Sequence, residues 1–204
     1  MASFLPDLGS THRREFCDKA HEAGISVHLD GARVFNAATR LGENVAEMTR
    51  GFDSIQFCLS KGLGAPVGSM IVGSREFIER CRSVRKMLGG GMRQAGVLAA
   101  AGLLALEKGP SRLHVDHENA QFLAAKLEAM SGVTLTPAKV QTNIIICDVT
   151  KSGWTSGDVL KALQQRGVLA VPVDNQKIRM VTHLDIARAD VERAAVILGE
   201  VFQR

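Results

Sequence analysis

The sequence has no tyrosine, a single tryptophan and only four cysteines among its 204 residues. It therefore offers few aromatic surfaces on which nucleic-acid bases could stack, and its net charge of +4 comes from lysines and arginines spread along the chain. The cysteines show no CxxC spacing, which argues against a zinc site and a disulfide framework. We predict no nucleic-acid partner and no bound metal.

Long apolar runs are also absent. The longest, "VLAAAGLLAL" at Val97–Leu106, is far shorter than the roughly 20 residues that a membrane-spanning helix needs. The opening "MASFLPDLGSTHRREF" has the features of neither a secretory signal nor a transit peptide. We therefore expect a cytoplasmic protein with no membrane segment, and an apolar fraction of 46% is sufficient for a packed core.

The first half of the chain alternates helical and strand patterns. "STHRREFCDKAHEAG" predicts a helix that ends at Gly24, and "ISVHLD" predicts a strand; "ENVAEMTRG" then predicts a short helix and "SIQFCLS" a second strand. A strand, helix, strand order predicts a parallel pair. Asp30 and Lys61 would then lie at the same carboxyl edge of the sheet, where ligands of open α/β folds bind. "VGSMIVGS" can turn back as a third strand.

The second half predicts a small α+β domain. A helix at about Ser74–Met87 precedes the apolar helix Val97–Leu106, which we expect to be buried on all sides, and "GPSR" at 109–112 predicts a break. An amphipathic helix, the strand "NIIICDV", a helix, the strand "KIRMVTH" and a last helix follow. Thr155 and Asp158 have capping-box spacing at the start of the middle helix.

Three residues in this pattern fit the chemistry of pyridoxal phosphate. This coenzyme needs a lysine that binds it covalently, an anion that keeps its ring nitrogen protonated, and a guanidinium that holds the substrate carboxylate. Lys61, Asp30 and Arg179 can fill these roles. On spacing alone, each is equally compatible with an ordinary surface residue.

Four longer motifs carry a resemblance to a known family. They are "HLDGARVFNAA" (28–38), "CLSKGLGAPVGSMIVG" (58–73), "RKMLGGGMRQAGVLAAAGLLAL" (85–106) and "IRMVTHLD" (178–185). Together they closely resemble the low-specificity L-threonine aldolases, pyridoxal-phosphate enzymes with the type I aminotransferase fold. The resemblance implies an α/β fold and the retro-aldol cleavage of L-threonine or L-allo-threonine to glycine and acetaldehyde.

The resemblance also assigns roles to individual residues. Lys61 matches the lysine that binds the coenzyme, and Asp30 matches the aspartate that pairs with its ring nitrogen. Arg33, which also belongs to the coenzyme-binding set, and Arg179 match the arginines that bind the substrate carboxylate. Ser60 either donates a hydrogen bond to the coenzyme phosphate or only ends the strand.

The same comparison implies an assembly and an organisation into domains. Lys86 and Arg93 match basic residues near the active site of a neighbouring subunit, so a homo-oligomer, a tetramer or a dimer, is implied. Residues 1–88 would be the remaining part of the coenzyme-binding large domain, 89–110 a buried connecting helix and 111–204 the small C-terminal domain.

The histidines carry weaker expectations. His28 precedes Asp30 on the same strand face and either tunes that carboxylate or only packs. His114 and His117 share a helix face and are expected to be exposed, and His183 could support Arg179. We predict that none of them belongs to a metal site.

The resemblance begins at about Gly24 and lacks the family's N-terminal segment, which carries the turn that binds the coenzyme phosphate and a histidine that stacks on the ring. Three alternatives follow. The chain belongs to an active threonine aldolase, or it is a non-catalytic fragment that pairs with full-length subunits. Less favoured is another pyridoxal-phosphate β-eliminating lyase, because Lys61 and Asp30 would serve that chemistry equally well.

Overall fold

A computed structural model describes residues 10–203, so most of the unfamiliar opening "MASFLPDLGS" lies outside the described residues. The chain divides into two compact units, one ending at Ser111 and the other beginning at Arg112. The helices are α1 (Ser10–Glu22), α2 (Val34–Leu41), α3 (Val45–Met48), α4 (Arg75–Met87), α5 (Gly96–Glu128), α6 (Ser156–Gln164) and α7 (Arg188–Phe202). The strands are β1 (His28–Asp30), β2 (Ser54–Cys58), β3 (Ser69–Gly73), β4 (Thr134–Leu135), β5 (Ile144–Asp148), β6 (Val171–Pro172) and β7 (Lys177–Val181).

The first unit contains a three-stranded sheet in the order β1-β2-β3. β1 and β2 are parallel, with Asp30 opposite Gln56, and β3 returns antiparallel to β2, with Ser69 opposite Cys58. Both the predicted parallel pair and the predicted returning strand are confirmed. Helix α2, which begins soon after β1 and buries Val34 and Ala38, was not predicted from the sequence.

The two faces of this sheet differ in chemistry. Side chains alternate between the faces of a strand, so residues that are paired in register share a face. One face carries Leu29, Ile55 and Phe57, which pack with residues of α2 and α3 in a single apolar cluster. The other face carries Asp30, Gln56 and other polar side chains of β1 and β2. Because the apolar face is buried against α2 and α3, the polar side chains of β1 and β2 lie on the opposite face.

Helix α5 is longer than the sequence predicted. It is one continuous helix with Pro110 inside it, so the expected boundary at 109–112 does not interrupt the helix, although the two units divide between Ser111 and Arg112. Pro110 removes one intrahelical hydrogen bond, and the helix continues on both sides of it. Val97 and Leu103 are 71% and 69% exposed within this chain, so the expected burial of Val97–Leu106 on all sides, as a connector between domains or subunits, stays a prediction.

The second unit is the expected α+β domain. Its sheet has the order β4-β5-β7-β6, with every neighbouring pair antiparallel. Ile145 and Cys147 of β5 and Ile178 of β7 have no exposed surface and pack with apolar residues of α5, α6 and α7. The predicted capping box is present in both directions between Thr155 and Asp158 at the start of α6.

Asp53 joins three segments just before β2. Its Oδ2 accepts a hydrogen bond from the backbone N–H of Val27 at 2.7 Å and lies 2.9 Å from Nε2 of His21 on α1. The hydrogen bond from Val27, followed by the contact with His21, lowers the pKa of the Asp53 carboxyl below its ordinary value. The carboxylate therefore holds α1 and the approach to β1 against the start of β2.

Asp53→Asn keeps the shape of this side chain and one acceptor oxygen but removes the charge. Because the folded-state pKa lies below the unfolded value of about 3.9, the charged group stabilises the fold above that value, and this stabilisation is lost as the pH falls through the folded-state pKa. We expect the variant to have a lower Tm than the native chain at about pH 6, and the difference to shrink below about pH 4. Thermal unfolding across this range measures it.

Asp18→Asn on α1 is the matched control, because Asp18 has no ion-pair partner among residues 10–203. Its Tm should follow that of the native chain at every pH. A Tm difference for Asp53→Asn that stays constant between about pH 6 and pH 3 would contradict the assigned role of the charge.

Candidate functional site

Asp30 and Lys61 lie at the same edge of the first sheet. Asp30 ends β1 and is opposite Gln56, and Lys61 follows the end of β2. Beyond Asp30, the chain stays alongside β2, because Gly31 N donates to Gln56 O at 2.8 Å. Both side chains are exposed, and neither forms an ion pair with another described residue. A carboxylate and an amine are thus available together at the edge where α/β folds bind ligands.

Lys61 is carried by a loop that closes on itself. Leu59 N donates to Gly68 O at 2.9 Å, Ala65 N to Leu59 O at 3.0 Å, and Gly64 N to Lys61 O at 2.9 Å. Leu63 and other apolar side chains of the loop are buried, while Ser60 and Lys61 are exposed. Backbone hydrogen bonds therefore fix the loop, and Ser60 and Lys61 are exposed on it.

Two glycines of α5 let the helix approach this loop. A Cβ at Gly109 would lie 2.8 Å from Leu63 O and 3.0 Å from Leu63 Cα, and a Cβ at Gly102 would lie 3.1 Å from Leu59 Cδ1. The glycines are two helical turns apart and so share one face of α5. With larger side chains at positions 102 and 109, α5 could not lie so close to the loop that carries Lys61.

The two candidate arginines occupy different units. Arg33 precedes α2 and lies in the first unit with Asp30 and Lys61, whereas Arg179 is in β7 of the second unit. Nε of Arg179 is buried and has no hydrogen-bond partner among the residues that the structure describes. Burying such a donor is costly unless another group pairs with it, so Arg179 is suited to an anionic ligand.

Lys86 and Arg93 flank the glycine-rich segment between α4 and α5. Lys86 lies in the last turn of α4, and Arg93 shortly precedes α5. Both are exposed, and neither forms an ion pair within residues 10–203. They are therefore available to groups outside this chain.

The histidines make contacts with residues other than the candidate ligand residues. Nδ1 of His28 is 2.8 Å from Ser54 Oγ, so its contact is with β2. His114 is exposed, but His117 is only 5% exposed, which corrects the expectation for that residue. His183 follows β7, with Nδ1 at 3.4 Å from Asp185 Oδ2. Within the described residues, no group of three His, Cys, Asp or Glu side chains could hold a metal ion.

The sequence analysis did not identify a polar cluster around Cys58. Its Sγ lies 3.4 Å from both Gln56 Nε2 and Ser69 Oγ. Burial by itself would raise the pKa of the Cys58 thiol, but hydrogen bonds from Ser69, Gln56 and Lys61 and the charge of Lys61 hold it below its ordinary value. The alternation along β2 could have identified this cluster, because Gln56 and Cys58 are two residues apart and share a face.

Across residues 10–203, no helix combines the length and the apolar composition needed to cross a membrane.

Known proteins resemble this chain in sequence and in structure. The family model described as beta-eliminating lyase matches residues 10–150. Low-specificity L-threonine aldolase 1 of Arabidopsis thaliana is 46% identical over 182 residues, which cover 87% of this chain and 51% of that protein. The low specificity L-threonine aldolase of Escherichia coli strain K12 is 40% identical over 203 residues, covering 94% of this chain and 58% of that protein. The chain thus spans little more than half the length of these curated relatives.

Solved structures show the same fold. A putative L-allo-threonine aldolase from Listeria monocytogenes matches 97% of this chain and 57% of its own, with a TM-score of 0.76 and 22% identity. Threonine aldolase of Leishmania major matches 96% of this chain and 58% of its own, with a TM-score of 0.72 and 17% identity. The expected type I fold and the resemblance to threonine aldolases are confirmed.

Gly109→Ala should disturb the packing of α5 against the loop that carries Lys61, because the added methyl group would meet the backbone of Leu63. We expect a loss of about 1–3 kcal/mol in the free energy of unfolding, as for other overpacked sites. Chemical denaturation measures it.

Gly96→Ala is the matched control, since a Cβ there meets nothing within 4 Å. It should leave stability unchanged or raise it slightly, because alanine favours a helix. Equal effects of the two substitutions would contradict the close approach at Gly109.

Proposed function

The chain belongs to the beta-eliminating lyase family, and from this premise we propose that it serves the pyridoxal-phosphate-dependent cleavage of L-threonine or L-allo-threonine to glycine and acetaldehyde. The observation that carries the proposal is the placement of Asp30 and Lys61 at one edge of the first sheet, each without an ion-pair partner among the described residues. The names of the relatives supply the reaction and the class of substrate, a β-hydroxy-α-amino acid.

The residues present fit pyridoxal phosphate by their chemistry. When bound, the coenzyme supplies the electron sink that stabilises the charge left on the substrate Cα. Lys61 offers an exposed primary amine that can bind an aldehyde carbon, and Asp30 offers a carboxylate that can hold a proton on a ring nitrogen. Ser60, exposed beside Lys61, offers a hydroxyl donor for a phosphate oxygen.

The arginines would orient the substrate. A guanidinium binds a carboxylate through two parallel hydrogen bonds, which fixes both the position and the direction of the amino acid. We assign this role to Arg33 and Arg179. The buried, unpaired Nε of Arg179 supports the assignment, because an incoming carboxylate would supply an anionic partner for this guanidinium.

We further propose a homo-oligomer, a tetramer or a dimer, in which Lys86 and Arg93 reach the site of a neighbouring subunit, and a cytoplasmic location. The exposed apolar side chains near these residues support an assembly. Met87 and Leu88 follow the basic end of α4 and are 80% and 79% exposed, and Val97 and Leu103 of α5 are also exposed. Neighbouring exposed apolar residues are typical of surfaces that meet another chain.

A second candidate function is that of a non-catalytic fragment that pairs with full-length relatives. One observation favours it: all residues of β3, including Met70 and Val72, are exposed and could meet another chain. Mixing tagged chain with a full-length threonine aldolase and measuring the mass of the isolated complex tests pairing.

Another β-eliminating lyase activity would use the same lysine and aspartate. Assays of cleavage with amino acids other than threonine distinguish that activity from the aldolase reaction.

Borohydride reduction in the presence of pyridoxal phosphate tests the proposed role of Lys61. We expect the coenzyme mass on the peptide that contains Lys61, because reduction makes the bond to the amine permanent. Lys61→Ala should lose both the mass and any acetaldehyde release from L-threonine.

Lys161→Ala on α6, an exposed lysine, is the matched control and should keep the mass on the Lys61 peptide. Coenzyme distributed equally over several lysines, or retained on the chain in Lys61→Ala, would refute the assignment. Specific attachment without acetaldehyde release would favour the non-catalytic fragment.

Arg179→Gln should weaken substrate binding. Losing a charge-assisted hydrogen bond costs about 1.5–3 kcal/mol, so we expect KM for L-threonine to rise about tenfold to a hundredfold. Steady-state kinetics measure it. Arg193→Gln on α7, an exposed arginine, should leave KM unchanged. An unchanged KM in Arg179→Gln would show that Arg179 does not bind the substrate.

A further inference from the structure

Thr182, the residue after β7, is held by its side chain and by both of its backbone polar groups. Its Oγ1 donates a hydrogen bond to Asp116 O on α5 at 2.6 Å. Its backbone N–H donates to Asn143 O at 3.1 Å, and its backbone oxygen accepts a hydrogen bond from Asn143 Nδ2 at 2.9 Å. All three residues are at most 4% exposed. These three hydrogen bonds, which we call the Thr182 anchor, join the end of β7 to α5 and to the residue before β5.

The Thr182 anchor lies where β7 has a strand on one side only. β7 pairs with β5 from Lys177 to Val181, but β6 is opposite β7 only at Ile178 and Arg179. In the part of the chain that the structure describes, β5 is therefore the single neighbouring strand between Arg179 and Thr182. The hydrogen bond to α5 gives this stretch a second attachment.

This stretch directly follows Arg179, whose placement depends on the register of β7. Arg179 is opposite Ile146 of β5 and lies on the face of the sheet away from the buried Ile178. A slip of one residue along β5 would move Arg179 to the buried face. β7 can neither slip along β5 nor separate from α5 without breaking the Thr182 anchor.

We propose that Thr182 is a positioning residue for Arg179: the Thr182 anchor fixes the end of β7, and with it the guanidinium three residues earlier, for the two parallel hydrogen bonds to a ligand carboxylate. Such a pair of bonds needs both nitrogens in defined places, so a shifted strand binds more weakly although the arginine is present. The carboxylate is that of the amino acid in the proposed function, on which this role rests. The anchor itself is a property of the chain alone.

The anchor is tested by hydrogen exchange of the β7 backbone amides, measured by mass spectrometry without coenzyme or amino acid. Thr182→Val keeps the shape of the side chain but loses the donor, and we expect the β7 peptide to exchange about threefold to tenfold faster, the effect of losing one hydrogen bond. Thr182→Ser keeps the hydroxyl and should restore slow exchange. Thr134→Val, at an exposed position of β4, is the matched control and should leave exchange in β7 unchanged.

Exchange in β7 that is the same in Thr182→Val and the native chain would overturn the anchor and the proposal with it. An equal increase in every peptide of the second unit would also overturn it, because the hydroxyl would then stabilise the whole unit rather than the end of β7.

The positioning role is tested by protection of Arg179 from phenylglyoxal, a reagent for guanidinium groups, in the presence of pyridoxal phosphate. The ligand is glycine, the amino acid product of the proposed reaction, and the measured quantity is the glycine concentration that halves modification of the Arg179 peptide. We expect Thr182→Val to raise this concentration about threefold to tenfold and Thr182→Ser to restore it. Thr134→Val should leave it unchanged, and Arg193 on α7 is the internal reference that glycine should not protect.

Looser packing alone would change the rate of modification at Arg179 without changing the half-protecting concentration. Equal half-protecting concentrations in Thr182→Val and the native chain would overturn the positioning role and leave the assignment of Arg179 intact. Absence of protection in the native chain would refute the assignment of Arg179 in the proposed function, and the positioning role with it, whereas hydrogen exchange would still decide the anchor. The two failures are therefore distinguishable.

Discussion

The parallel pairing of β1 with β2 is the constraint on which the candidate site depends. It places Asp30 opposite Gln56 and brings the two strand ends to one edge, although Asp30 and Lys61 are far apart in the sequence. The backbone hydrogen bond from Gly31 to Gln56 extends this pairing past the end of β1. Backbone pairing therefore sets the geometry, and the side chains are free to carry the chemistry.

Packing against the β1–β2 pair and against the loop after β2 holds the site in place and decides which sheet face is polar. The apolar cluster with α2 and α3 fixes one sheet face, so the polar side chains of Asp30, Gln56 and Cys58 must share the other. The close approach of Gly109 to Leu63 supports the loop that carries Lys61. Elements outside the candidate site thus hold its residues in place.

The chain is also informative about what a partial sequence of a family retains. It spans little more than half of its curated relatives, yet it keeps the strand ends with the lysine and aspartate, and a second unit with its own core and sheet. The exposed apolar residues on β3 and α5 are surfaces that a longer chain or another subunit could cover.

The sequence by itself determined the order of most elements, the parallel pair, the capping box of α6 and the family, because these depend on local patterns and long motifs. It did not reveal the continuity of α5 through Pro110, the burial of His117 or the exposure of Val97, which depend on contacts between residues distant in sequence. Only the tertiary structure brought Gln56 and Ser69 together at Cys58. The physical reason is that strand register and loop closure, rather than any local pattern, decide which side chains meet.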